Sequence, residues 1–209
     1  MIINHKYKFI FVHIPRTGGT STRKVLKKCD GSVVYSRRKK ERGDIIGQHS
    51  PLTDYVEKLG LKNIDSYFKW TRVRNPWDRL VSIYSRRANT AKPHDAADHP
   101  APQAVNNSFE DWVGLQMLDK PPYWRKQIFN QRRFIKDQGL DFVARFENIN
   151  EDFVVFCDKV GLPQTKLPHL NGYRHNDYRE YYNEKLIDKL LNYSTFREDL
   201  DYLGYDYQP

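Results

Sequence analysis

Cysteine is scarce in this chain, with two among 209 residues, and long apolar runs are missing. Cys29 and Cys157 lie far apart and show no metal-ligand spacing, so we expect two reduced packing residues and no bound metal. No run approaches the roughly 20 apolar residues of a transmembrane helix. The first residues also lack the apolar segment of a signal peptide. These absences predict a cytoplasmic protein with no transmembrane segment.

The charge of the chain is strongly positive. Lys and Arg number 35 against 26 Asp and Glu, which gives a net charge of +9 and favours anionic partners. A length of 209 residues fits one domain over residues 1–209. Neither number identifies the partner.

The most informative stretch reads as a buried strand, a turn and the start of a helix. Residues 8–14 are apolar and β-branched, as in a central parallel strand, and Pro15 ends that strand. Gly18 and Gly19 are expected to expose the backbone to an anion, and Arg16 to supply positive charge. The hydroxyls of Thr17, Thr20 and Ser21 are further hydrogen-bond donors. Either Thr20 or Ser21 could also cap the helix.

Two alternatives to a phosphate-binding turn stay open at this point. Gly-Gly turns between a strand and a helix also occur without any ligand. The stretch also differs from the nucleoside triphosphate loop G-x-x-x-x-G-K-[ST], because Thr20 follows Gly19 with no lysine between them.

A second strand-to-helix junction repeats the first. Residues 66–73 form an aromatic and β-branched strand candidate, after which Asn75 is expected to cap a helix that begins at Pro76. Arg74 at the strand end and Ser82 two turns into the helix predict a second anion site. The alternative is that Arg74 pairs with a local carboxylate and Ser82 is an exposed helix residue.

A histidine lies at a third junction of this kind. His49 stands between the apolar pair Ile45–Ile46 and a helix expected from Pro51. Ligands of parallel α/β sheets bind at this edge, so His49 is a candidate site residue. Elsewhere the pattern predicts strands at 32–35 and 140–146 and a loop at 90–105. Helices are expected at 109–118, 124–135, 150–160 and 178–191, and residues 196–207 are expected to form a short acidic helix and an aromatic tail.

Three blocks of residues, 13–21, 74–82 and 145–148, together resemble the PAPS-dependent sulfotransferases. The most similar branch contains the heparan sulfate 2-O- and other carbohydrate sulfotransferases with their small bacterial and viral relatives. The resemblance implies a P-loop-like α/β three-layer sandwich with a central, mostly parallel sheet. It also implies that the first block binds the 5′-phosphosulfate of PAPS and that the second, with Arg74 and Ser82, binds the 3′-phosphate.

The resemblance also implies roles for individual residues. Arg16 takes the position of a catalytic basic residue, more often lysine, that contacts the departing phosphate. His49 falls in the region of a catalytic histidine, and Arg174 falls in a basic segment that covers PAPS. The implied reaction transfers a sulfuryl group from PAPS to a hydroxyl acceptor, most naturally a glycan, releases PAP and uses no metal.

Two other classes of function compete with this interpretation. A P-loop nucleotide kinase or hydrolase shares the fold, yet the strand candidates end near Pro15, Arg74 and Glu147, and only Glu147 offers a magnesium-binding carboxylate. A nucleic-acid-binding protein fits the basic charge and the 14 Tyr and 11 Phe residues. However, the aromatic residues fall mostly at core spacing and no recognition motif is present, so we expect no nucleic-acid partner.

Overall fold

A computed structural model describes residues 1–35, 38–39, 45–46, 49–91, 100–117, 128–168 and 175–207. The chain divides into two compact units, Met1–Arg74 with Arg133–Asn171, and Asn75–Arg132 with Gly172–Pro209. The strands are β1 (Ile2–Asn4), β2 (Phe9–Val12), β3 (Ser32–Val34), β4 (Arg38–Lys39), β5 (Ile45–Ile46), β6 (Phe68–Val73) and β7 (Phe142–Arg145). The α-helices are α1 (Gly19–Leu26), α2 (Leu52–Leu59), α3 (Pro76–Ala88), α4 (Pro100–Asn106), α5 (Phe109–Gln116), α6 (Ile149–Val160), α7 (Glu184–Leu191) and α8 (Ser194–Leu203).

The first unit is built on a five-stranded sheet with the order β3-β1-β2-β6-β7. β1 is antiparallel to both of its neighbours, whereas β2 pairs with β6, and β6 with β7, in parallel. Four of the five strands therefore run in one direction. The predicted α/β fold with a mostly parallel central sheet is confirmed, while the prediction of one domain over residues 1–209 stays a prediction.

Both faces of this sheet are buried. Phe9 and Phe11 of β2 belong to the same apolar cluster as Trp70 of β6, whose ring stacks 4.1 Å from that of Phe156 in α6. Ile10, which points to the opposite face of β2, is also fully buried. A strand covered on both faces reads as a continuous apolar run, and for this reason it was recognisable in the sequence.

Local capping residues determine where several helices begin and end. The side chain of Asn75 accepts a hydrogen bond from the Trp77 N–H at 3.0 Å, and Pro76 occupies the first turn of α3, both as predicted. α6 ends at Gly161, which adopts the left-handed conformation with φ 71°. Pro51 precedes the first residue of α2 instead of occupying its first turn.

The second unit has an aromatic core of its own. Trp77 and Trp112 are fully buried in a cluster formed by side chains of α3, α5, α7 and α8. The Tyr182 hydroxyl donates to the Trp77 carbonyl at 2.8 Å, and burial raises the pKa of Tyr182 well above its usual value. Within the part of the chain that the structure describes, no helix is long and apolar enough to cross a membrane.

Two of the predicted elements are wrong in the described residues. Residues 100–105 were expected in a loop but lie in α4, since proline is tolerated in the first turn of a helix. The helix expected at 124–135 is only one 3-10 turn, Arg132–Phe134, within residues 128–135. There the buried Asp199 carboxylate accepts the N–H groups of Gln131 and Arg132.

The remaining differences concern an interrupted helix and two missed strands. The helix expected at 178–191 is split into a 3-10 turn, Tyr178–Tyr181, and α7, because the Asn183 side chain accepts the Leu186 N–H and starts a new helix. β1 and β4 were not predicted: they are three and two residues long, and sequence periodicity needs a longer window.

Replacing Asp199 with alanine is expected to destabilise the protein by about 3 kcal/mol, because two buried N–H groups lose a charged acceptor. The Asp199 oxygens lie 2.9 Å from the Gln131 nitrogen and 2.7 Å from the Arg132 nitrogen. Asp201→Ala is the matched control, because the Asp201 carboxylate is exposed and its ion pair with Arg197 contributes at most about 0.5 kcal/mol. Urea unfolding measures both changes, and equal midpoints for the two variants would contradict the assigned role.

Candidate active site

Three parallel strands of the first unit end at the same edge of the sheet. Val12 of β2 pairs with Thr71, and Val73 of β6 pairs with Arg145 of β7. The segments that follow these strands are the 13–18 turn, Arg74 and the 3-10 turn Phe146–Asn148. Ligands of open α/β sheets bind outside the carboxyl ends of the strands, so this edge is the candidate site.

The turn after β2 directs the start of α1 toward this edge. Gly18 precedes α1 with a left-handed φ of 75°, and the first bond of the helix runs from the Thr22 N–H to the Gly18 carbonyl at 3.3 Å. The N–H groups of Gly19 and Thr20 come before this bond, so they have no carbonyl partner inside the helix. Together with the helix dipole, such groups favour an anion.

The two glycines permit close packing on the side where a Cβ atom would stand. A Cβ atom at Gly18 would lie 2.7 Å from Cδ1 of Ile149, and one at Gly19 would overlap the imidazole of His13. Side chains of Ile149 and His13 fill the space next to the missing Cβ atoms, while the access of an anion to the backbone of Gly18 and Gly19 stays a prediction. The turn is therefore held against α6 on one side and His13 on the other.

The hydroxyl residues of the turn have separate positions. The Thr17 side chain is fully buried, and its hydroxyl donates to the Ile14 carbonyl at 2.9 Å. The hydroxyl proton of Thr17 therefore forms a hydrogen bond within the turn. Thr20 is exposed and Ser21 is buried, both in the first turn of α1. The prediction that Thr20 or Ser21 caps the helix is wrong, because Gly18 takes the cap position and no side chain caps the helix.

Arg74 lies beside the turn that carries Arg16. Its Nη1 donates to the Arg16 carbonyl at 3.3 Å, and its guanidinium lies 4.2 Å from the centre of the Phe146 ring. Arg16 itself has a left-handed φ of 67°, a conformation that costs a non-glycine residue energy and is found at functional sites. The structure thus brings Arg74 and the first turn together, as the sequence analysis required.

His49 is tied to the same turn through His13. Nδ1 of His49 lies 3.0 Å from the His13 carbonyl oxygen, and the two rings lie 4.4 Å apart, edge to face. A carbonyl only accepts, so Nδ1 of His49 carries the proton and Nε2 is the basic nitrogen of the neutral ring. The His13 ring is buried, and this burial lowers its pKa well below 6.5.

Two predicted site residues lie outside the described part of the first unit. Ser82 belongs to α3 in the second unit and is buried, so the alternative of an exposed helix residue is wrong. Arg174 lies outside the described residues.

Sequence reasoning assigned no role to several residues that shape the site. His13 was part of the first block, and its proximity to Gly19 gave no signal in the sequence. Arg72 did give such a signal, because it is the one charged residue among the four buried residues at the end of β6, Trp70–Val73. Phe146 supports Arg74 and was not distinguished from the core aromatics.

The fold and the anion-directed turn define a P-loop-like α/β protein, and the comparisons with known proteins give its family. The model of the sulfotransferase family matches residues 1–207. The chain therefore belongs to the sulfotransferase family, which confirms the predicted resemblance.

The similar curated proteins include carbohydrate sulfotransferases from mammals. The chain is 23% identical to human carbohydrate sulfotransferase 9, covering 98% of this chain and 52% of that protein. It is 20% identical to mouse carbohydrate sulfotransferase 14, covering 73% of this chain and 44% of that protein. The chain thus spans about half the length of these relatives.

A solved structure with the same fold is that of mouse sulfotransferase SULT7A1 complexed with PAP. The TM-score is 0.52 with 14% sequence identity, over 97% of this chain and 90% of the other. At this identity the comparison shows a shared fold.

Gly19→Ala is expected to destabilise the protein by about 2 kcal/mol, because the new Cβ displaces the His13 ring in a packed interior. Gly114→Ala is the matched control: its Cβ would meet only the flexible end of Lys189 at 3.2 Å, and alanine favours the helix. We expect this control to stay within about 1 kcal/mol of wild type. Equal urea midpoints for the two variants would refute the packing role of Gly19.

The buried His13 ring is expected to make stability depend on pH. Since its pKa is depressed in the folded state, the unfolded chain alone binds the proton below about pH 6.5, and stability falls as the pH drops. The free energy of unfolding is expected to lose up to about 1.4 kcal/mol per pH unit from this one residue. Urea unfolding at pH 7, 6 and 5 should show a smaller slope for His13→Gln. An unchanged slope would mean that His13 binds its proton equally in both states.

Proposed function

We propose that this protein transfers a sulfuryl group from PAPS to a hydroxyl acceptor and releases PAP. The observation that carries the proposal is the first turn of α1, which faces the strand edge next to Arg74 in a chain of the sulfotransferase family. PAPS supplies the activated sulfuryl group, and its phosphates fit a site made of helix N–H groups and guanidinium groups.

The anionic parts of PAPS are assigned to separate residues. We assign the 5′-phosphosulfate to Arg16 and to the turn and first helical residues Thr17, Gly18, Gly19, Thr20 and Ser21. We assign the 3′-phosphate to Arg74 and Ser82, with Arg174 as a further contact. Support for a nucleotide of this type comes from the mouse relative of the same fold, whose structure contains PAP. The net charge of +9 attracts such a multiply charged ligand.

His49 is assigned the role of general base. Its Nδ1–H is held by the His13 carbonyl at 3.0 Å, so Nε2 is the nitrogen that takes the proton of the acceptor hydroxyl. The acceptor oxygen then bonds to sulfur while the bond between sulfur and the departing phosphate oxygen breaks. Arg16 and the helix N–H groups stabilise the negative charge that develops on that phosphate.

The acceptor is proposed to be a glycan. Its support is the group of similar proteins, which includes carbohydrate sulfotransferases 9, 10 and 14. Transfer of labelled sulfate from PAPS to a panel of glycans and other hydroxyl compounds tests this proposal. Label on glycans supports it, and label confined to other acceptors would refute the glycan assignment alone.

The family assignment counts against the alternative function, a nucleotide kinase or hydrolase. Glu147, the carboxylate that kept this alternative open, lies in the 3-10 turn Phe146–Asn148 after β7. Incubation with ATP and magnesium provides the direct comparison. Phosphoryl transfer or hydrolysis in place of sulfuryl transfer would restore the alternative.

PAP is expected to bind at least about 100-fold more tightly than AMP, because AMP lacks the 3′-phosphate assigned to Arg74 and Ser82. Isothermal titration calorimetry at fixed ionic strength measures both affinities. The preference should shrink in Arg74→Gln, which removes the charge but keeps a polar side chain. Equal affinities of the wild-type protein for PAP and AMP would contradict the assigned 3′-phosphate site.

His49→Ala is expected to lower the turnover rate by about 10²- to 10⁴-fold while the affinity for PAP is retained, since only the proton acceptor is lost. His5→Ala is the matched control: His5 follows β1, and the pairing of Asn4 with Phe9 places it at the opposite edge of the sheet. Turnover is measured by sulfate transfer and affinity by calorimetry. Normal turnover of His49→Ala would remove His49 from the mechanism.

A further inference from the structure

A charged residue lies inside the sheet behind the candidate site. β6 carries Arg72 next to its carboxyl end, and its side chain is fully buried. It points to the same face of the strand as Trp70, whose ring lies 5.7 Å from the guanidinium carbon. A buried guanidinium is costly unless other groups compensate its charge, so its surroundings need a physical explanation.

One end of the Arg72 side chain contacts the first turn of α1. Its Nη1 donates to the Thr22 hydroxyl oxygen at 2.7 Å. The Thr22 N–H in turn donates to the Gly18 carbonyl, and this bond closes the first turn. Thr22 follows Gly19 by three residues, so the guanidinium contacts the first turn of α1, the turn that carries the Gly19 and Thr20 N–H groups.

The other two nitrogens of the guanidinium form no hydrogen bond to the described residues. In the described part of the chain, Nε and Nη2 of Arg72 are buried and have no hydrogen-bond partner. The Asp152 carboxylate, one oxygen of which accepts the Arg145 N–H, compensates part of this charge electrostatically without a hydrogen bond to Nε or Nη2. Burial lowers the pKa of Arg72 to about 10, so the group stays charged at neutral pH.

We propose that Arg72 is a positioning residue for the anion at the start of α1: it fixes the first turn through Thr22 and adds a buried positive charge behind it. This inference rests on the proposed function and names a residue that neither sequence block assigned to PAPS. A dianion bound at the start of α1 compensates the positive charge of the buried Arg72 side chain. The 5′-phosphate of PAP and the 5′-phosphosulfate of PAPS are the anions that this position supports.

The test compares two nucleotides that differ only at the 5′ end. Calorimetry measures the affinities of PAP and of adenosine 3′-monophosphate for the wild type and for Arg72→Met, which keeps the length of the side chain and removes its charge. We expect PAP to bind about 10- to 30-fold more weakly to Arg72→Met, as for one charge acting over several ångströms of protein. The affinity for adenosine 3′-monophosphate is expected to change by less than about twofold.

Two further variants separate charge from hydrogen bonding. Arg72→Lys keeps the charge and is expected to recover most of the PAP affinity. Thr22→Val removes the hydroxyl that Arg72 contacts and keeps the charge, so its loss of PAP affinity should be smaller than that of Arg72→Met. Thermal unfolding without ligand is expected to show Arg72→Met at least as stable as wild type, because an incompletely compensated buried charge is removed.

Each result bears on the inference. Wild-type affinity of Arg72→Met for PAP would overturn it, as would equal losses for PAP and adenosine 3′-monophosphate, which indicate a general structural role. A wild-type protein that binds neither nucleotide would refute the proposed function itself. The two failures are therefore distinguishable in one set of titrations.

Discussion

The left-handed backbone at Gly18 determines how the chain leaves β2, and the candidate site depends on it. With φ at 75°, the turn starts α1 so that its first N–H groups precede the Thr22–Gly18 bond at the strand edge. A side chain at Gly18 would be strained and would also meet Ile149 at 2.7 Å. The backbone at Gly18 therefore sets the position of the N–H groups of the site, and charged side chains surround these groups.

These charged side chains come from elements that end at the same edge or lie behind it. Arg16 is in the turn itself, with a left-handed φ of 67°. Arg74 leaves β6 and contacts the Arg16 carbonyl, while Arg72, two residues earlier, reaches α1 through Thr22. β6 and the residue after it therefore place one guanidinium group against the first turn of α1 and another against the turn that carries Arg16. Such fixed charges need little rearrangement when an anion binds.

Much of this arrangement could be predicted from the sequence, and the missing parts share a physical cause. The strand before Pro15, the cap at Asn75 and the stop at Gly161 depend on neighbouring residues, so local patterns revealed them. The contact of His13 with Gly19 and the path from Arg72 to Thr22 join residues through packing. The glycines illustrate the limit: their positions were recognised, but the reason for glycine was the space taken by His13 and Ile149.

The account's central claim is that the first turn of α1 holds the 5′-phosphate of the nucleotide. A crystal structure of the protein with PAP tests this claim most directly. We expect a 5′-phosphate oxygen within about 3.2 Å of the backbone nitrogen of Gly19 or Thr20. A well-ordered PAP whose 5′-phosphate lies away from this turn would contradict the claim.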